Sequence, residues 1–260
     1  MPLDQLVERC FAGRARLAGG HEPGAVPFLV LHGSQGPRWL VPARPDPAAA
    51  TVLRAWRPYG AAARLKWRAF VAAWRAGLAG HAPGVERIFL AGIGPRLPAA
   101  VYIGTPDRRQ KAVLFHASPM AVEKLAISDD AHVAVAHEAE MLQELARLRP
   151  GLAPAVLGTT HDSVMTGWVE GKLIPARLDE AVLELLAELR LGRDIAGPDF
   201  AGLPPWLPGF IEHGDFAPWN IRRAGGRLHL TDFEDARIDG MPMQDLTGWC
   251  LAVGHVLRRQ

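Results

Sequence analysis

The stretch His213-Gly-Asp-Phe-Ala-Pro-Trp-Asn220 is followed, twelve residues later, by Asp232-Phe-Glu234. Between them, two short runs of alternating polar and apolar residues flank a pair of glycines, which predicts a β-hairpin. The two ends of such a hairpin would bring Asn220 and Asp232 together. We therefore expect the carboxylate of Asp215 to lie close to an amide and a second carboxylate.

These three side chains suit the transfer of a phosphoryl group to a hydroxyl. In protein kinases, an Asp with an Asn five positions on, followed by a hairpin into a second Asp, places a catalytic base and two magnesium ligands. Asp215 would accept the proton of the attacking hydroxyl across about 3 Å. Asn220 and Asp232 would hold Mg²⁺, because this ion binds a few protein oxygens and completes its shell with water and phosphate.

The motif departs from the protein-kinase pattern at Gly214, where an Arg is usual, and at Glu234, where a Gly is usual. Here the chain resembles the aminoglycoside phosphotransferase family, the small-molecule branch of the protein-kinase-like fold. The family motif runs His-Gly-Asp, four variable residues, Asn, then a hairpin into an Asp. The resemblance implies that Asp215 is catalytic and that Asn220 and Asp232 bind the metal. It also implies an α+β, bilobal fold with an antiparallel β N-lobe and a mostly helical C-lobe.

The resemblance implies a reaction as well as a fold. ATP and Mg²⁺ would be the cofactors, and the γ-phosphate would pass to a hydroxyl of a small molecule, a sugar or an aminoglycoside-like acceptor. GTP as the donor stays open. An alternative hypothesis is a catalytically idle nucleotide-binding pseudokinase that regulates or scaffolds a partner. A third keeps the chemistry and makes a protein side chain the acceptor.

Three short runs of β-forming residues precede the motif, at 99–107, 110–116 and 121–127. They predict the antiparallel sheet that covers a nucleotide. Lys124 lies in the third run, where its ammonium group would reach the α- and β-phosphates. Glu138, on a predicted helix at 131–149, would pair with Lys124, and Glu140 is the competing partner.

The first turn of this predicted sheet contains Gly104 and Thr105. They supply one flexible residue and one hydroxyl near the expected phosphates. The sequence contains no Gly-x-Gly-x-x-Gly loop of the kind that covers the phosphates in protein kinases. Gly92 and Gly94 would form the turn instead if the strand register were shifted.

Two further segments resemble the family. The run from Ser163 to Gly171 is similar to the hinge between the lobes, where backbone groups of Trp168, Val169 and Glu170 would bond an adenine edge between apolar walls. Asp245 resembles a buried Asp at the start of a late helix, which braces the catalytic loop.

We predict three parts in the chain: an N-terminal α/β module of unknown role at 1–84, a nucleotide-binding N-lobe at 85–171 and a catalytic C-lobe at 172–260. The first boundary lies at His81-Ala-Pro-Gly84, where Pro and Gly interrupt the helical pattern. The module is predicted to contain a helix at 3–17, a hairpin of 28–32 with 38–42, and helices at 48–56 and 61–78.

The walls of the acceptor site are predicted from the regions around the motif. Residues 178–191 predict a helix, and a Pro- and Gly-rich passage follows it to Pro208. We expect this helix and passage to form one side of the acceptor site. The N-terminal module, with Arg64, Lys66 and Arg68, either supports the nucleotide lobe or supplies the other side of the acceptor site. The alternative is that this module only covers the small sheet.

Composition argues against several classes of partner. The formal net charge is only +2 and the basic residues are spread along the chain, so we expect no nucleic-acid surface. No run of about eighteen apolar residues indicates a membrane span. We expect a soluble, cytoplasmic protein whose partner is a small molecule, with no nucleic acid and no membrane involved.

The cysteines and histidines predict neither a disulfide framework nor a zinc motif. Cys10 and Cys250 lie near opposite ends of the chain. His137 precedes an acidic residue, but no His stands four positions after it, which excludes the His-Glu-x-x-His motif for His137 and His132.

Overall fold

The computed structural model describes residues 3–11, 15–20, 22–58, 60–91, 97–194, 208–241 and 243–257. The chain divides into two units. Unit 1 comprises Met1–Ala136 and Leu157–Trp168, and unit 2 comprises His137–Val156 and Val169–Gln260.

Unit 1 is built on a nine-stranded antiparallel sheet. Its strands in chain order are β1 (Arg16–Leu17), β2 (Val26–Gly33), β3 (Gly36–Pro42), β4 (Val85–Ala91), β5 (Ala100–Ile103), β6 (Lys111–Ala117), β7 (Met120–Ala126), β8 (Val156–Thr159) and β9 (Ser163–Gly167). Across the sheet the order is β1-β4-β2-β3-β5-β6-β7-β9-β8. The helices are α1 (Leu3–Cys10), α2 (Pro47–Ala55), α3 (Ala61–Arg75) and the beginning of α4 (Asp129–Leu148).

Helices cover both faces of this sheet because alternate side chains of its strands point to opposite faces. On one face, Phe28 and Val30 of β2 belong to a buried cluster with residues of α1. On the other face, Leu29 belongs to a cluster with Leu53 of α2 and Trp74 of α3. Each of these five side chains is almost fully buried, which contributes about 1.5–3 kcal/mol for a large apolar side chain.

The N-terminal helix is shorter than the sequence predicts. Helix α1 ends at Cys10, and Arg16–Leu17 forms β1, paired with β4. The predicted helix 3–17 contains Gly13, and a glycine disfavours a helix interior by about 1 kcal/mol. Pairing with β4 provides the backbone hydrogen bonds that a helix would otherwise make. The prediction of a helix at Arg16–Leu17 is therefore wrong.

The other predicted helices and strands of unit 1 are present, with ends shifted by at most four residues. Strand β4 has no counterpart among the predictions, and it pairs with β2 from Val26↔Leu90 to Leu31↔Val85. Strands from both sides of the predicted boundary at residue 84 thus join one sheet. The division into 1–84, 85–171 and 172–260 stays a prediction.

Unit 2 contains the rest of α4, the helices α5 (Glu180–Glu188) and α6 (Gln244–Leu251), and two three-stranded sheets. One sheet consists of β10 (Lys172–Leu173), β13 (Ile221–Ala224) and β14 (Arg227–Leu230), in that order. The other consists of β11 (Arg190–Asp194), β12 (Pro208–Glu212) and β15 (Arg237–Gly240), in that order. The expectation of a mostly helical C-lobe is not confirmed, because the described residues of this unit form two three-stranded sheets beside the helices.

Helix α5 covers most of the predicted helix 178–191. It begins after Asp179, whose side chain caps it by accepting the backbone N–H of Val182 at 3.2 Å. It ends at Glu188, and the chain enters β11 at Arg190. Residues 195–207, most of the Pro- and Gly-rich passage, lie outside the described residues. Among the described helices, none has both the length and the apolar character that crossing a membrane requires.

Candidate active site

The loop after β12 carries the motif His213–Asn220, and Asp245 holds its backbone. Asp245 is buried in the first turn of α6. Its two carboxylate oxygens accept the backbone N–H groups of His213, at 2.8 Å, and Gly214, at 3.1 Å. Burial raises the pKa of Asp245, and these hydrogen bonds act in the opposite direction. The contact predicted between Asp245 and the catalytic loop is confirmed.

The fully buried ring of His213 supports the loop in its neutral form. Its Nδ1 accepts the backbone N–H of Asp215 at 3.3 Å, so Nδ1 carries a lone pair. Its Nε2 lies 3.0 Å from the carbonyl oxygen of Thr231 and therefore donates. Burial lowers the pKa of His213 and outweighs the carboxylates of Asp245 and Asp232, which raise it.

The protein should become easier to unfold as the pH falls below 6.5, the ordinary pKa of histidine. Below that pH the unfolded chain takes up a proton on His213, whereas the folded chain, with its lowered pKa, does not. Between pH 6.5 and the pKa of His213 in the folded chain, the free energy of unfolding should therefore fall by up to about 1.4 kcal/mol for each unit by which the pH is lowered. Urea unfolding between about pH 5 and pH 8 measures this slope.

The matched control is His213→Gln, because an amide can donate to Thr231 without titrating. Below pH 6.5, we expect the free energy of unfolding to depend less steeply on pH in this variant, by up to about 1.4 kcal/mol per pH unit, because one titrating group is removed. Asp245 acts in the opposite sense, since its raised pKa favours folding below pH 3.8 and this contribution is lost as the pH rises. Equal slopes in the two proteins would contradict a neutral buried His213.

Gly214 occupies a position with no room for a side chain. Its φ is +82°, and an added Cβ would collide with the backbone oxygen of Asp235. The left-handed region costs an L-residue about 1–2 kcal/mol, whereas glycine adopts it freely. The second residue of the motif is therefore glycine for a steric and a conformational reason.

Gly214→Ala should lower the free energy of unfolding by about 3 kcal/mol, because the collision adds to the backbone strain. Gly226, in the β13–β14 turn, is a matched control with φ of +83° and open space within 4 Å of an added Cβ. Gly226→Ala should lose only the conformational part, about 1–2 kcal/mol. Urea unfolding compares the two, and equal losses would show that the collision at Gly214 is relieved at no cost.

The half-buried carboxylate of Asp215 is held through one of its two oxygens. Oδ2 accepts Nδ2 of Asn220 at 2.8 Å and Nε1 of Trp219 at 3.1 Å. Within the described part of the chain, Oδ1 of Asp215 accepts no hydrogen bond. Two donors thus orient the carboxylate and leave its second oxygen for another group. The sequence analysis did not predict that Trp219 orients Asp215. The only signal for this role is that an indole N–H stands four residues after the aspartate.

The hairpin of β13 and β14 places Asn220 next to the strand end that leads to Asp232, as predicted. Ile221 pairs with Leu230, and the backbone N–H of Thr231 donates to the carbonyl oxygen of Asn220 at 2.9 Å. The amide nitrogen of Asn220 also donates to the backbone oxygen of Asp215, at 3.0 Å. Among the described residues no donor reaches the amide oxygen of Asn220.

Asp232 has a left-handed backbone, with φ of +72°, and the residue after it contacts α4. The backbone N–H of Phe233 donates to Oε1 of Glu138 at 3.1 Å, and Glu138 is only 2% exposed. Nε2 of His137 lies 2.6 Å from the carbonyl oxygen of Ala236. The sequence interpretation missed this link between α4 and the second Asp, because nothing in the local pattern connects residues so far apart.

The predicted phosphate-contacting residues of unit 1 lie on β7 and in the β5–β6 turn. Lys124 is half-buried on β7, with neighbours Val113 on β6 and Val164 on β9. In the turn, the backbone N–H of Gly104 donates to the carbonyl oxygen of Lys111 at 2.8 Å. The alternative turn residues, Gly92 and Gly94, lie outside the described residues.

The chain passes from unit 1 to unit 2 between Trp168 and Val169, within the predicted hinge. The backbone N–H of Trp168 donates to the carbonyl oxygen of Met120 at 3.2 Å, and its ring lies edge-on to Phe115. Glu170 is exposed. Asp215, Asn220, Asp232 and Glu138 all belong to unit 2, whereas Lys124, Gly104, Thr105 and Trp168 belong to unit 1.

Comparisons with known proteins give structural likenesses only. No protein-family model and no curated protein matches the sequence. Aminoglycoside phosphotransferase APH(2'')-Ib with ADP bound is 16% identical, with a TM-score of 0.43 over 58% of this chain and 70% of that chain. Macrolide 2'-phosphotransferase MphH from Brachybacterium faecium is 16% identical, with a TM-score of 0.42 over 61% of this chain and 75% of that chain. A macrolide 2'-phosphotransferase type I is 13% identical, with a TM-score of 0.45 over 78% of this chain and 81% of that chain.

Proposed function

We propose that this chain is an ATP- and Mg²⁺-dependent phosphotransferase that moves the γ-phosphate to a hydroxyl of a small molecule, a sugar or an aminoglycoside-like compound. The observation that carries this proposal is the carboxylate of Asp215. A catalytic base needs a fixed orientation and an oxygen that faces the substrate. Asn220 and Trp219 provide the orientation through Oδ2, and Oδ1 is the oxygen left for the substrate.

In this reaction, Oδ1 of Asp215 accepts the proton of the acceptor hydroxyl. The hydroxyl oxygen forms a bond to the γ-phosphorus, and the bond from that phosphorus to the bridging oxygen of ADP breaks. The products are the phosphorylated acceptor, ADP and a proton that Asp215 releases. Because there is little covalent work for the protein, the two donors that orient Asp215 serve mainly to position the nucleophile.

The donor atoms of Asn220 and Asp232 suit Mg²⁺, which prefers oxygen ligands. The amide nitrogen of Asn220 is engaged by Asp215, so its amide oxygen is the atom that would face the ion. Thr231 is hydrogen-bonded to the backbone of Asn220 and directly precedes Asp232 in the chain, so it connects the two proposed ligands. A bound Mg²⁺ would neutralise charge on the transferring phosphate.

We assign the nucleotide to the segments that the family resemblance indicates. Lys124 would bind the α- and β-phosphates, and of its two candidate partners Glu138 is buried whereas Glu140 is exposed, which favours Glu138. The phosphate cover and the adenine contacts are assigned to Gly104, Thr105, Trp168, Val169 and Glu170. Thr105 is exposed, and its hydroxyl accepts a hydrogen bond from Arg38 at 3.3 Å.

We assign the acceptor site to the region of α5 because the end of this helix is hydrogen-bonded to β12, the strand that leads into the catalytic loop. The backbone N–H of Ile211, on β12, donates to the carbonyl oxygen of Leu189 at 2.8 Å. Ile211 precedes His213 by two residues, so the end of α5 lies beside the strand that enters the loop. The guanidinium of Arg149 also donates to the carbonyl oxygen of Glu188, at 2.7 Å.

Transfer of label from γ-labelled ATP tests the proposal. The acceptor panel contains sugars, amino alcohols, aminoglycosides and macrolides, with GTP as a second donor and with Mg²⁺ present or removed by chelation. We expect Mg²⁺-dependent label on a small hydroxyl compound, and none with Asp215→Asn. Nucleotide binding without transfer to any acceptor would support the pseudokinase hypothesis, and label on the protein would support a protein acceptor.

A further inference from the structure

A cluster of two histidines and one aspartate lies in unit 1, and none of the three residues belongs to the catalytic-loop motif. His132 is near the start of α4, and His161 and Asp162 form the turn between β8 and β9. One ligand atom from each of the three side chains lies within 4.8 Å of the other two. A single ion can therefore contact all three after small side-chain rotations.

The contacts in this cluster are not those of an ordinary hydrogen-bonded pair. Nδ1 of His132 lies 3.0 Å from Oδ1 of Asp162. This nitrogen is buried and forms no hydrogen bond with any residue that the structure describes, so the approach is between two atoms without a well-aligned proton. Nε2 of His161 lies 3.7 Å from the same carboxylate oxygen, and the two imidazole rings stack with centroids 5.5 Å apart.

The turn that presents Asp162 is held by the backbone and by a hydroxyl. The side chain of Thr160 accepts the backbone N–H groups of Asp162, at 3.2 Å, and Ser163, at 3.0 Å. The carbonyl oxygen of Asp162 accepts the backbone N–H of Ala126 at 2.8 Å. The backbone of Asp162 is thus fixed by hydrogen bonds, and its Oδ1 lies within 3.7 Å of a nitrogen of each imidazole.

We propose that His132, His161 and Asp162 form a binding site for Zn²⁺. Imidazole nitrogens and a carboxylate oxygen are ligands that Zn²⁺ takes in proteins, and three protein ligands leave a fourth position for water. Nitrogen ligands favour such a transition ion over Mg²⁺, which prefers oxygen. His161, with its side chain 91% exposed, completes the site from the solvent side.

The ion joins the beginning of α4 to the turn between β8 and β9, which are the last two strands at that edge of the sheet. Because an ion that binds only the folded chain stabilises it by mass action, Zn²⁺ should raise the melting temperature. The same helix carries Glu138 farther along, so the ion holds the element from which Glu138 projects. The site does not depend on the phosphotransferase activity.

Calorimetric titration of Zn²⁺ into the full untagged chain, with melting curves at each concentration, tests this site. We expect one ion per chain and a rise in melting temperature. His161→Ala is the decisive variant, because its exposed side chain makes little contribution to folding. It should weaken Zn²⁺ binding by about tenfold or more and reduce the rise in melting temperature at each Zn²⁺ concentration.

The controls separate this cluster from other histidines and from the catalytic loop. His81→Ala removes an exposed histidine outside the cluster, and Asp232→Asn removes a carboxylate of the proposed Mg²⁺ site. Both should bind Zn²⁺ as the wild type does, whereas His132→Ala and Asp162→Ala should not. Equal Zn²⁺ affinity in the wild type and His161→Ala, or no binding at micromolar Zn²⁺, would overturn the proposal.

Discussion

Asp215→Asn should lower turnover by about 10²–10⁴-fold, the contribution that a positioned base makes to proton transfer. The amide keeps the size of the side chain but cannot accept the proton of the acceptor hydroxyl. The affinity for ATP should stay within about threefold, because the lost interaction belongs to the transition state. Initial rates with the best acceptor from the panel, and calorimetric titration with ATP, measure the two quantities.

Two variants calibrate this result. Asp130→Asn makes the same chemical change at an exposed position in the first turn of α4 and should leave turnover unchanged. Trp219→Phe removes one of the two donors to Oδ2 of Asp215 and should give an intermediate loss, because Asn220 still orients the carboxylate. Full turnover in Asp215→Asn would remove Asp215 from the reaction.

Asp232→Asn should lower turnover by about 10²-fold or more and raise the Mg²⁺ concentration needed for half-maximal rate. The change removes the charge that would hold the ion. Asn is the substitution of choice because it tolerates the left-handed φ of +72°, which Ala would not adopt without strain. Rates as a function of Mg²⁺ concentration, together with ATP titrations with and without Mg²⁺, measure the effect.

Asp239→Asn is the matched control for this variant. Asp239 also has a left-handed backbone, with φ of +65°, and lies on β15 of the same unit. The control also replaces an aspartate that has a left-handed backbone conformation by asparagine. Its rate should depend on Mg²⁺ concentration as that of the wild type does. If Asp232→Asn also matches the wild type, the metal site lies elsewhere.

The sequence predicted the elements of the site that depend on local pattern. The hairpin between Asn220 and Asp232 is present because alternating residues and two glycines specify a short turn, and the turn sets the register. The strand that carries Lys124 and the helix that carries Glu138 are also where the pattern placed them. The helical assignment failed at Arg16–Leu17, where a strand partner distant along the chain competes with local propensity.

Several features were decided by the tertiary structure alone. Only packing determines that Asn220 and Trp219 hold one oxygen of Asp215, and that burial keeps His213 neutral. The contact of Glu138 with the backbone of Phe233 spans 95 positions of the chain.

The cluster of His132 with His161 and Asp162 also depends on the fold, because the zinc spacings that a sequence motif can specify are local. The beginning of helix α4 and the β8–β9 turn bring these side chains together only when the fold of unit 1 has formed. The sequence by itself therefore determined which residue types stand at which spacing along each strand, turn and helix. The tertiary structure decided which atoms meet, because contacts between distant residues follow from burial of the core and not from local backbone preference.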